Sequence, residues 1–290
     1  MANTYLTLNQ TTATDVKKFT ISVWVKKSIN ISTGGNEQYV YSTLTDPPTN
    51  RFILSFLDGD TIRADIVVDG TSYIRRTNRV FRDVNAWYHI VFVGDSTLAT
   101  ADDRLKLYIN GVQETSFSSS SNPPQNSKLN FVNSSATIGR YSGGSHELNG
   151  LLAHYHGCDG YAYDASAFGE TDATTGIWKP KLSPSVTYGT NGFFLKFNEG
   201  AFGTDSSPNG NNFTVNGSLT PTKDTPENNF ATFNPLNVPT SSVPTFSNGN
   251  NTVVTANGTS AYFGGTSSLG VSSGKSVSYT HLTLPTKRIV

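Results

Sequence analysis

The side chains most able to do chemistry lie close together in the stretch LLAHYHGCDG. His154, His156 and Cys158 alternate there, and alternate residues of a β-strand point to one face of a sheet. Imidazole and thiolate groups at this spacing are ligands that zinc accepts. No fourth ligand is evident nearby, so we favour a histidine pair satisfied within the protein and a cysteine in the core, with zinc as the alternative.

Two acidic segments carry oxygen ligands of the kind that calcium binds. The segment Asp205–Asn212 has oxygen side chains at its first, third and fifth positions and glycine at its sixth, like the start of a calcium loop. Its twelfth position is Asn216 instead of the bidentate glutamate, and turn formation explains the same residues. Asp95, Asp102 and Asp103 form a second acidic group in a loop. We expect no cofactor, and calcium is the alternative.

A glycoside hydrolase needs two carboxyl groups on either side of the scissile bond. Hydrolases built on two packed β-sheets place such acids a few residues apart on one strand. The six glutamates of this chain are far apart, and none is followed at that spacing by both an aspartate and a second glutamate. They are Glu37, Glu114, Glu147, Glu170, Glu199 and Glu227. The sequence therefore predicts that the protein is not an enzyme.

Strands must position these groups, and the clearest signals are two apolar runs. WYHIVFV, residues 87–93, is apolar on both faces, as in an interior strand. LKLYI, residues 105–109, alternates apolar and polar side chains, which predicts a strand with one wet face. Asn110-Gly111 and Asp69-Gly70 are dipeptides that favour tight hairpin turns. The runs therefore predict an antiparallel sheet.

Only DASAFGE could form a helical turn. Further strand-like runs recur along residues 1–170: FTISVWVKK, QYVYSTL, RFILSFL, TIRADIVV, TSYIRRT, ATIGRY and NGLLAHYHG. We predict an all-β fold, an antiparallel β-sandwich of jelly-roll type, over residues 1–170. Residues 171–244 are rich in proline and include one strong strand signal, GFFLKFNEG. We expect them to wrap the sandwich and add strands to it. Residues 245–275 are predicted to be the start of a second β domain.

Composition excludes several classes of function. Lys and Arg number 21 and so do Asp and Glu, which argues against a nucleic-acid partner because phosphate binding requires a basic surplus. A single cysteine excludes an intrachain disulfide. No apolar run approaches eighteen residues, so no membrane span is expected. The N-terminus MANTYLTLNQ has no secretory signal.

The order of five segments resembles the concanavalin A-like, or laminin G-like (LamG), sandwich. These segments are FTISVWVKKS, NAWYHIVFVGD, DRLKLYINGVQ, ATIGR and LNGLLAHYHGCDG. The continuation from DGYAYDASAFGETDATTGIWKPK to DTPENNFATFNPLNV resembles LamG-type proteins of tailed bacteriophages from metagenomes. In such proteins a second domain of the SPRY type follows, and GVSSGK resembles its opening. The resemblance implies a virion protein, in the tail fibre or associated with the tail, that is released by host lysis.

The last fifteen residues, SVSYTHLTLPTKRIV, break the pattern of the preceding chain. A natural terminal strand is one interpretation of them, and the codons suggest another. Codons that encode residues 277–286 can be chosen to match a transposon mosaic-end adapter used in shotgun sequencing. We therefore expect residues 276–290 to be an adapter-derived tail that ends the reading frame early.

The resemblance implies a non-enzymatic module that binds glycans or another host-surface polymer and contacts other virion proteins. The alternative is a purely structural or decoration protein of the virion with no glycan site. Sugar recognition needs an aromatic surface with polar groups nearby. Tyr141 and His146 flank the glycine-rich loop YSGGSHELNG, and His154 and His156 follow on the next strand. Trp178 is predicted to be more exposed than Trp24 and Trp87, so these five side chains (Tyr141, His146, His154, His156 and Trp178) are the predicted ligand-binding residues.

Overall fold

The computed structural model describes residues 4–31, 37–44, 49–238, 244–254 and 266–268. Its strands, in chain order, are β1 (Tyr5–Asn9), β2 (Lys18–Lys27), β3 (Gln38–Leu44), β4 (Arg51–Phe56), β5 (Thr61–Val68), β6 (Thr71–Val80), β7 (Tyr88–Asp95), β8 (Leu105–Ile109), β9 (Val112–Gln113), β10 (Phe117–Ser120), β11 (Ser135–Ile138), β12 (Gly150–Asp159), β13 (Gly169–Thr171), β14 (Trp178–Pro180), β15 (Phe193–Leu195), β16 (Thr214–Asn216), β17 (Thr245–Ser247) and β18 (Thr252–Val254). Single turns of 3₁₀ helix cover Asp58–Asp60, Ala101–Asp103 and Ala165–Ala167.

Two antiparallel sheets form the body of the fold. One has the strand order β10-β6-β5-β4-β3-β11-β1-β16, and the other has the order β15-β12-β2-β7-β8-β9. We call them the eight-stranded and the six-stranded sheet. The antiparallel β-sandwich predicted from the sequence is confirmed.

Aromatic rings from both sheets fill the core between them. Phe19 of β2 packs edge-on against Phe52 of β4, with 4.9 Å between ring centroids, and Phe92 of β7 packs against both. Each of the three is fully buried. Burial of such a side chain stabilises the folded state by roughly 1.5–3 kcal/mol. This cluster therefore contributes strongly to the packing of the two sheets.

The two apolar runs pair as the sequence predicts. Phe92 of β7 lies opposite Leu107 of β8. Asn110 and Gly111, at φ values of 49° and 82°, close the turn that leads into β9, and Asp69 and Gly70 close the turn between β5 and β6. Both predicted hairpin turns are therefore confirmed, and each uses a positive φ that asparagine, aspartate and glycine reach at low cost.

The segment after β12 covers the outer face of the six-stranded sheet. The first residues of this segment are attached to β2 by two hydrogen bonds: Thr20 donates to the carbonyl of Tyr161 at 2.9 Å and accepts from the amide of Tyr163 at 2.8 Å. Farther along, β15 joins the edge of this sheet and β16 joins the edge of the other. Residues 171–244 thus contribute a strand to each sheet.

One predicted strand is much shorter than expected. GFFLKFNEG forms only the three-residue strand β15, because Phe197 has a φ of 56° and cannot continue an extended conformation. The hairpin β17–β18 is joined to the end of β2 through Asn250, whose amide donates to the carbonyl of Ser28 at 3.0 Å.

Residues 269–290 lie outside the described residues, and so do the adapter-like segment and most of the predicted second domain. In the part of the chain that is described, no helix has the length and apolar character to cross a membrane.

Candidate functional site

The outer face of the eight-stranded sheet carries a row of polar residues. Tyr39 of β3 lies opposite Ser55 of β4, which lies opposite Arg63 of β5. Residues directly opposite in an antiparallel sheet point to the same side. Their neighbour Phe56 belongs to the core, so Tyr39, Ser55 and Arg63 face away from it.

A pair of tyrosine rings and a histidine form an aromatic surface on this face. The ring centroids of Tyr39 and Tyr141 are 5.0 Å apart and those of Tyr39 and His146 are 6.0 Å apart. The loop after β11 is held over the sheet because the amide of Ser142 donates to the hydroxyl of Ser42 at 2.8 Å. Tyr141 and His146 are half-buried, and Tyr39 beneath them is buried. We call Tyr39, Tyr141 and His146 the tyrosine platform.

Charged groups border the tyrosine platform. The guanidinium of Arg63 contacts Glu37 at 2.9 Å and Asp65 at 2.6 Å, and Arg51 lies 3.6 Å from Asp65. The Tyr39 hydroxyl donates a hydrogen bond to Glu37. Burial, together with this carboxylate, raises the pKa of Tyr39 well above its ordinary value, so the phenol stays protonated.

A second aromatic group lies on the outer face of the six-stranded sheet. The His89 ring stacks between Trp24, at 4.8 Å, and Trp178, at 6.0 Å. Trp24 is buried and Trp178 is half-buried, which is the order of exposure predicted for these two indoles. Burial lowers the pKa of His89 to about 3, so the imidazole is neutral at physiological pH.

His156 and Cys158 are buried beneath the segment that covers this sheet. The His156 ring stacks on Phe194 at 4.0 Å, and its Nδ1 lies 3.0 Å from the hydroxyl of Tyr188. Cys158 packs with Phe168, Tyr188 and Phe194, and burial raises the pKa of its thiol far above the ordinary value. Both residues are therefore core residues in this structure.

His154 has a different environment from His156. It lies in a β-bulge with a φ of 45°, and its Nε2 is 2.5 Å from a carboxylate oxygen of Glu227. Burial alone would raise the pKa of Glu227, but the contact with His154 holds it below its ordinary value.

The five predicted ligand-binding residues do not form one surface. Tyr141 and His146 lie on the outer face of the eight-stranded sheet, whereas His154, His156 and Trp178 belong to the outer side of the six-stranded sheet. The core separates the two groups. His156 is only 1% exposed and cannot touch a ligand in this arrangement. The expectation of a single site is corrected here, because the chain crosses from one sheet to the other between β11 and β12.

The candidate metal ligands have protein partners. Asp205 accepts hydrogen bonds from the amides of Phe194, Ser207 and Asn211, each at 2.8 Å, as a turn-forming aspartate does. Asp95 accepts from the amide of Thr97 at 3.0 Å. Across the described ranges, no three histidine, cysteine or acidic side chains are grouped as a metal site requires.

The match to a family model decides the classification of this sandwich. Residues 1–157 match the model described as the concanavalin A-like lectin/glucanases superfamily. The chain belongs to this superfamily. The matched segment ends inside β12, so both members of the Tyr39–Tyr141 pair lie within the superfamily domain.

Solved structures similar to this superfamily member include three that differ widely in origin. The heptameric SAP-like pentraxin from Limulus polyphemus is 16% identical, with a TM-score of 0.40, over 56% of this chain and 72% of the pentraxin. Domains LG4-5 of the mouse laminin alpha1 chain are 10% identical, with a TM-score of 0.40, over 67% of this chain and 44% of theirs. Tailspike protein 2 from Escherichia coli O157:H7 bacteriophage CAB120 is 15% identical, with a TM-score of 0.40, over 57% of this chain and 22% of the tailspike.

This member of the superfamily thus spans less than half the length of the laminin and tailspike chains. None of the curated proteins matches it in sequence.

Sequence reasoning missed Tyr39, Glu37 and Arg63. The apolar pattern around these three residues indicates only that they belong to strands or lie next to them. That they lie close together depends on the register of β3, β4 and β5. The alternation of Arg63 and Asp65 with apolar residues in TIRADIVV was the available signal, since it marks charged side chains on one face of a strand.

Proposed function

We propose that the protein binds glycans at the tyrosine platform and does not cleave them. The observation that carries this proposal is the half-buried Tyr141 ring, which packs on the buried Tyr39 beside the Arg63–Glu37 ion pair. Aromatic rings offer a flat apolar surface to the C–H face of a sugar, and fixed charged groups supply donors and acceptors to its hydroxyls. The platform combines both within one stretch of sheet.

We also propose that the protein is a component of a tailed bacteriophage virion, as a tail-fibre or tail-associated module that recognises a host-surface polymer. The resemblance of residues 159–238 to LamG-type phage proteins supports this role. Membership in a lectin-containing superfamily is consistent with adhesion. On this proposal, other virion proteins are partners as well, and nucleic acid and membrane are not.

A glycan array probed with the full chain tests binding, and Tyr141→Ala tests the platform. We expect this substitution to weaken binding to the best glycan by about 1–3 kcal/mol, the usual effect of removing a central aromatic contact. The melting temperature should change little because Tyr141 is half-buried in a loop. Tyr161→Ala, at a half-buried tyrosine over the other sheet, is the matched control and should bind as the wild type does.

Two outcomes would contradict the proposal. If Tyr141→Ala lowers the melting temperature and spares binding, the loop is structural and the platform is not the site. If the folded wild-type protein retains no glycan on the array, a structural or decoration role in the virion is favoured.

A further inference from the structure

A lysine of the six-stranded sheet contacts an aspartate and an asparagine of the segment 224–229, which packs on that sheet. Nζ of Lys26 lies 2.6 Å from Oδ2 of Asp224 and 3.1 Å from the amide oxygen of Asn229. Lys26 belongs to β2, and the two partners follow about two hundred positions later. The sheet and this segment are therefore held together by one three-residue cluster.

Water has little access to the lysine and the aspartate of this cluster. The side chains of Lys26 and Asp224 are 2% and 1% exposed. Leu151 stands opposite Lys26 in β12, and the indole of Trp87 donates to Oδ1 of Asp224 at 3.1 Å. Charges removed from water are costly unless they are paired, and Lys26 and Asp224 are each other's partner here.

The Asn229 side chain bridges this interior and the surface. Its oxygen faces the buried ammonium of Lys26, while its nitrogen Nδ2 donates to the carbonyl of Asn85 at 3.3 Å. The residue as a whole is exposed. The side-chain carbonyl of Asn229 is thus held at the lysine, and its amide nitrogen is turned towards the backbone of Asn85.

We propose that Lys26 and Asn229 form an intramolecular isopeptide bond, with Asp224 as the acid–base catalyst. Lysine is an effective nucleophile when a water-excluded site makes its neutral form accessible. A carboxyl group in hydrogen-bond contact with it can take and return the proton. The bond would join β2 covalently to the segment that covers it.

The reaction balances without any co-reactant. Oδ2 of Asp224 takes one proton from Nζ of Lys26, and the free amine then attacks Cγ of Asn229. The C–Nζ bond forms, Asp224 protonates the amide nitrogen, and the bond from Cγ to Nδ2 breaks. Nζ still carries two hydrogens and loses one of them through Asp224 to the departing ammonia. The sum converts the lysine ammonium and the carboxamide into a secondary amide and one ammonium ion, with no change of oxidation state.

The neighbouring lysine provides an internal comparison. Lys27 faces the core, where its Nζ contacts Asp60 and the carbonyl of Phe81, and burial lowers its pKa. Among the described residues, no carboxamide makes a hydrogen bond to Nζ of Lys27. An amine and an acid are therefore present at both lysines, but the group to be attacked is present only at Lys26.

Mass spectrometry of the purified full chain tests the proposal. We expect the intact protein to be lighter than its sequence by one ammonia molecule, and a proteolytic digest to contain one cross-linked peptide that carries Lys26 and Asn229. The cross-linked peptide is the decisive signal, because succinimide formation at Asn-Gly pairs such as Asn110-Gly111 releases ammonia too. A folded wild-type protein that yields unmodified Lys26 and Asn229 peptides overturns the proposal.

Three variants assign the roles. Asn229→Ala and Asp224→Asn should each abolish the cross-linked peptide, the first by removing the carbonyl and the second by removing the proton carrier. Asn228→Ala, at the adjacent exposed asparagine, should retain it. A cross-link that persists in Asp224→Asn would overturn the catalytic role of Asp224, and circular dichroism of each variant shows that the sandwich has folded.

Discussion

Nε1 of Trp178 donates a hydrogen bond to Nδ1 of His89 at 2.9 Å, and this contact fixes the tautomer of a buried histidine. An indole N–H can only donate, so Nδ1 of the neutral ring carries the lone pair and Nε2 carries the proton. Nε2 in turn lies 2.8 Å from the hydroxyl of Ser22 and donates to it. His89 therefore cannot act as a base towards Ser22, and the pair is structural although its residue types suggest a nucleophile.

Trp178→Phe tests this contact. The substitution keeps an aromatic ring and removes the donor, which leaves Nδ1 of a buried imidazole unsatisfied. We expect the free energy of unfolding to fall by about 1–3 kcal/mol, as for other buried groups that lose a partner. Ile177→Ala, at the adjacent exposed position, should change it by less than about 0.5 kcal/mol. Equal effects of both substitutions in urea titrations would contradict the prediction.

The buried histidines make stability depend on pH. The folded state holds His89 neutral down to about pH 3, whereas an unfolded chain protonates histidine near pH 6.5. The unfolded state thus binds more protons between these values, and the free energy of unfolding should fall as pH falls through this window. The slope for one histidine is at most about 1.4 kcal/mol per pH unit. His156, whose pKa is also lowered by burial, acts in the same direction.

Urea titrations at pH 7, 6, 5 and 4 measure this dependence. We expect His89→Gln, compared with the wild type, to lose less stability between pH 7 and pH 4. The control is Asn228→Gln, at an exposed position whose side chain does not titrate, and it should keep the wild-type dependence. Parallel curves for the wild type and His89→Gln would show that His89 is not the titrating group.

Most of the fold could be predicted because apolar periodicity records which face of a strand is buried. The bounds of β3 and β5 agree with the runs QYVYSTL and TIRADIVV, and the two hairpin turns were marked by Asn110-Gly111 and Asp69-Gly70. The short β15 was not predictable in this way, since the φ of Phe197 depends on its surroundings and not on its residue type.

The candidate site was less predictable. Apolar periodicity shows which side chains of a strand face the core, but it does not show to which of the two sheets the strand belongs. Tyr141 and His154 are close in sequence, yet β11 belongs to the eight-stranded sheet and β12 to the six-stranded sheet. The bulge at His154 also interrupts the simple alternation in LLAHYHGCDG. Only the register across β3, β4 and β5 brings Tyr39 beside Arg63.

Deletion of residues 277–290 tests the adapter interpretation of the C-terminus. On that interpretation these residues make no packed contact, so we expect the free energy of unfolding to change by less than about 1 kcal/mol, which is below the usual effect of losing such a contact. Urea titrations of the full and shortened chains make the comparison. A larger loss of stability would contradict the interpretation.

The absence of hydrolysis is the last prediction, and Arg63 is its structural reason. Glu37 and Asp65 border the tyrosine platform, and both contact the guanidinium of Arg63. A glycosidase needs one carboxyl group that is protonated as the acid and one that is free to attack or to activate water. Both carboxyl groups are held by the same guanidinium, so neither is free to take the position of an acid or a nucleophile at a scissile bond.

We therefore expect no reducing ends to be released from β-glucans, agarose or alginate. Reducing-end assays on highly purified protein measure this, with Glu37→Gln as the paired variant and Glu199→Gln, at an exposed glutamate, as the control. Turnover that survives purification, persists in Glu199→Gln and disappears in Glu37→Gln would show that the platform is catalytic, because only a reacting carboxyl group near the platform would produce that pattern.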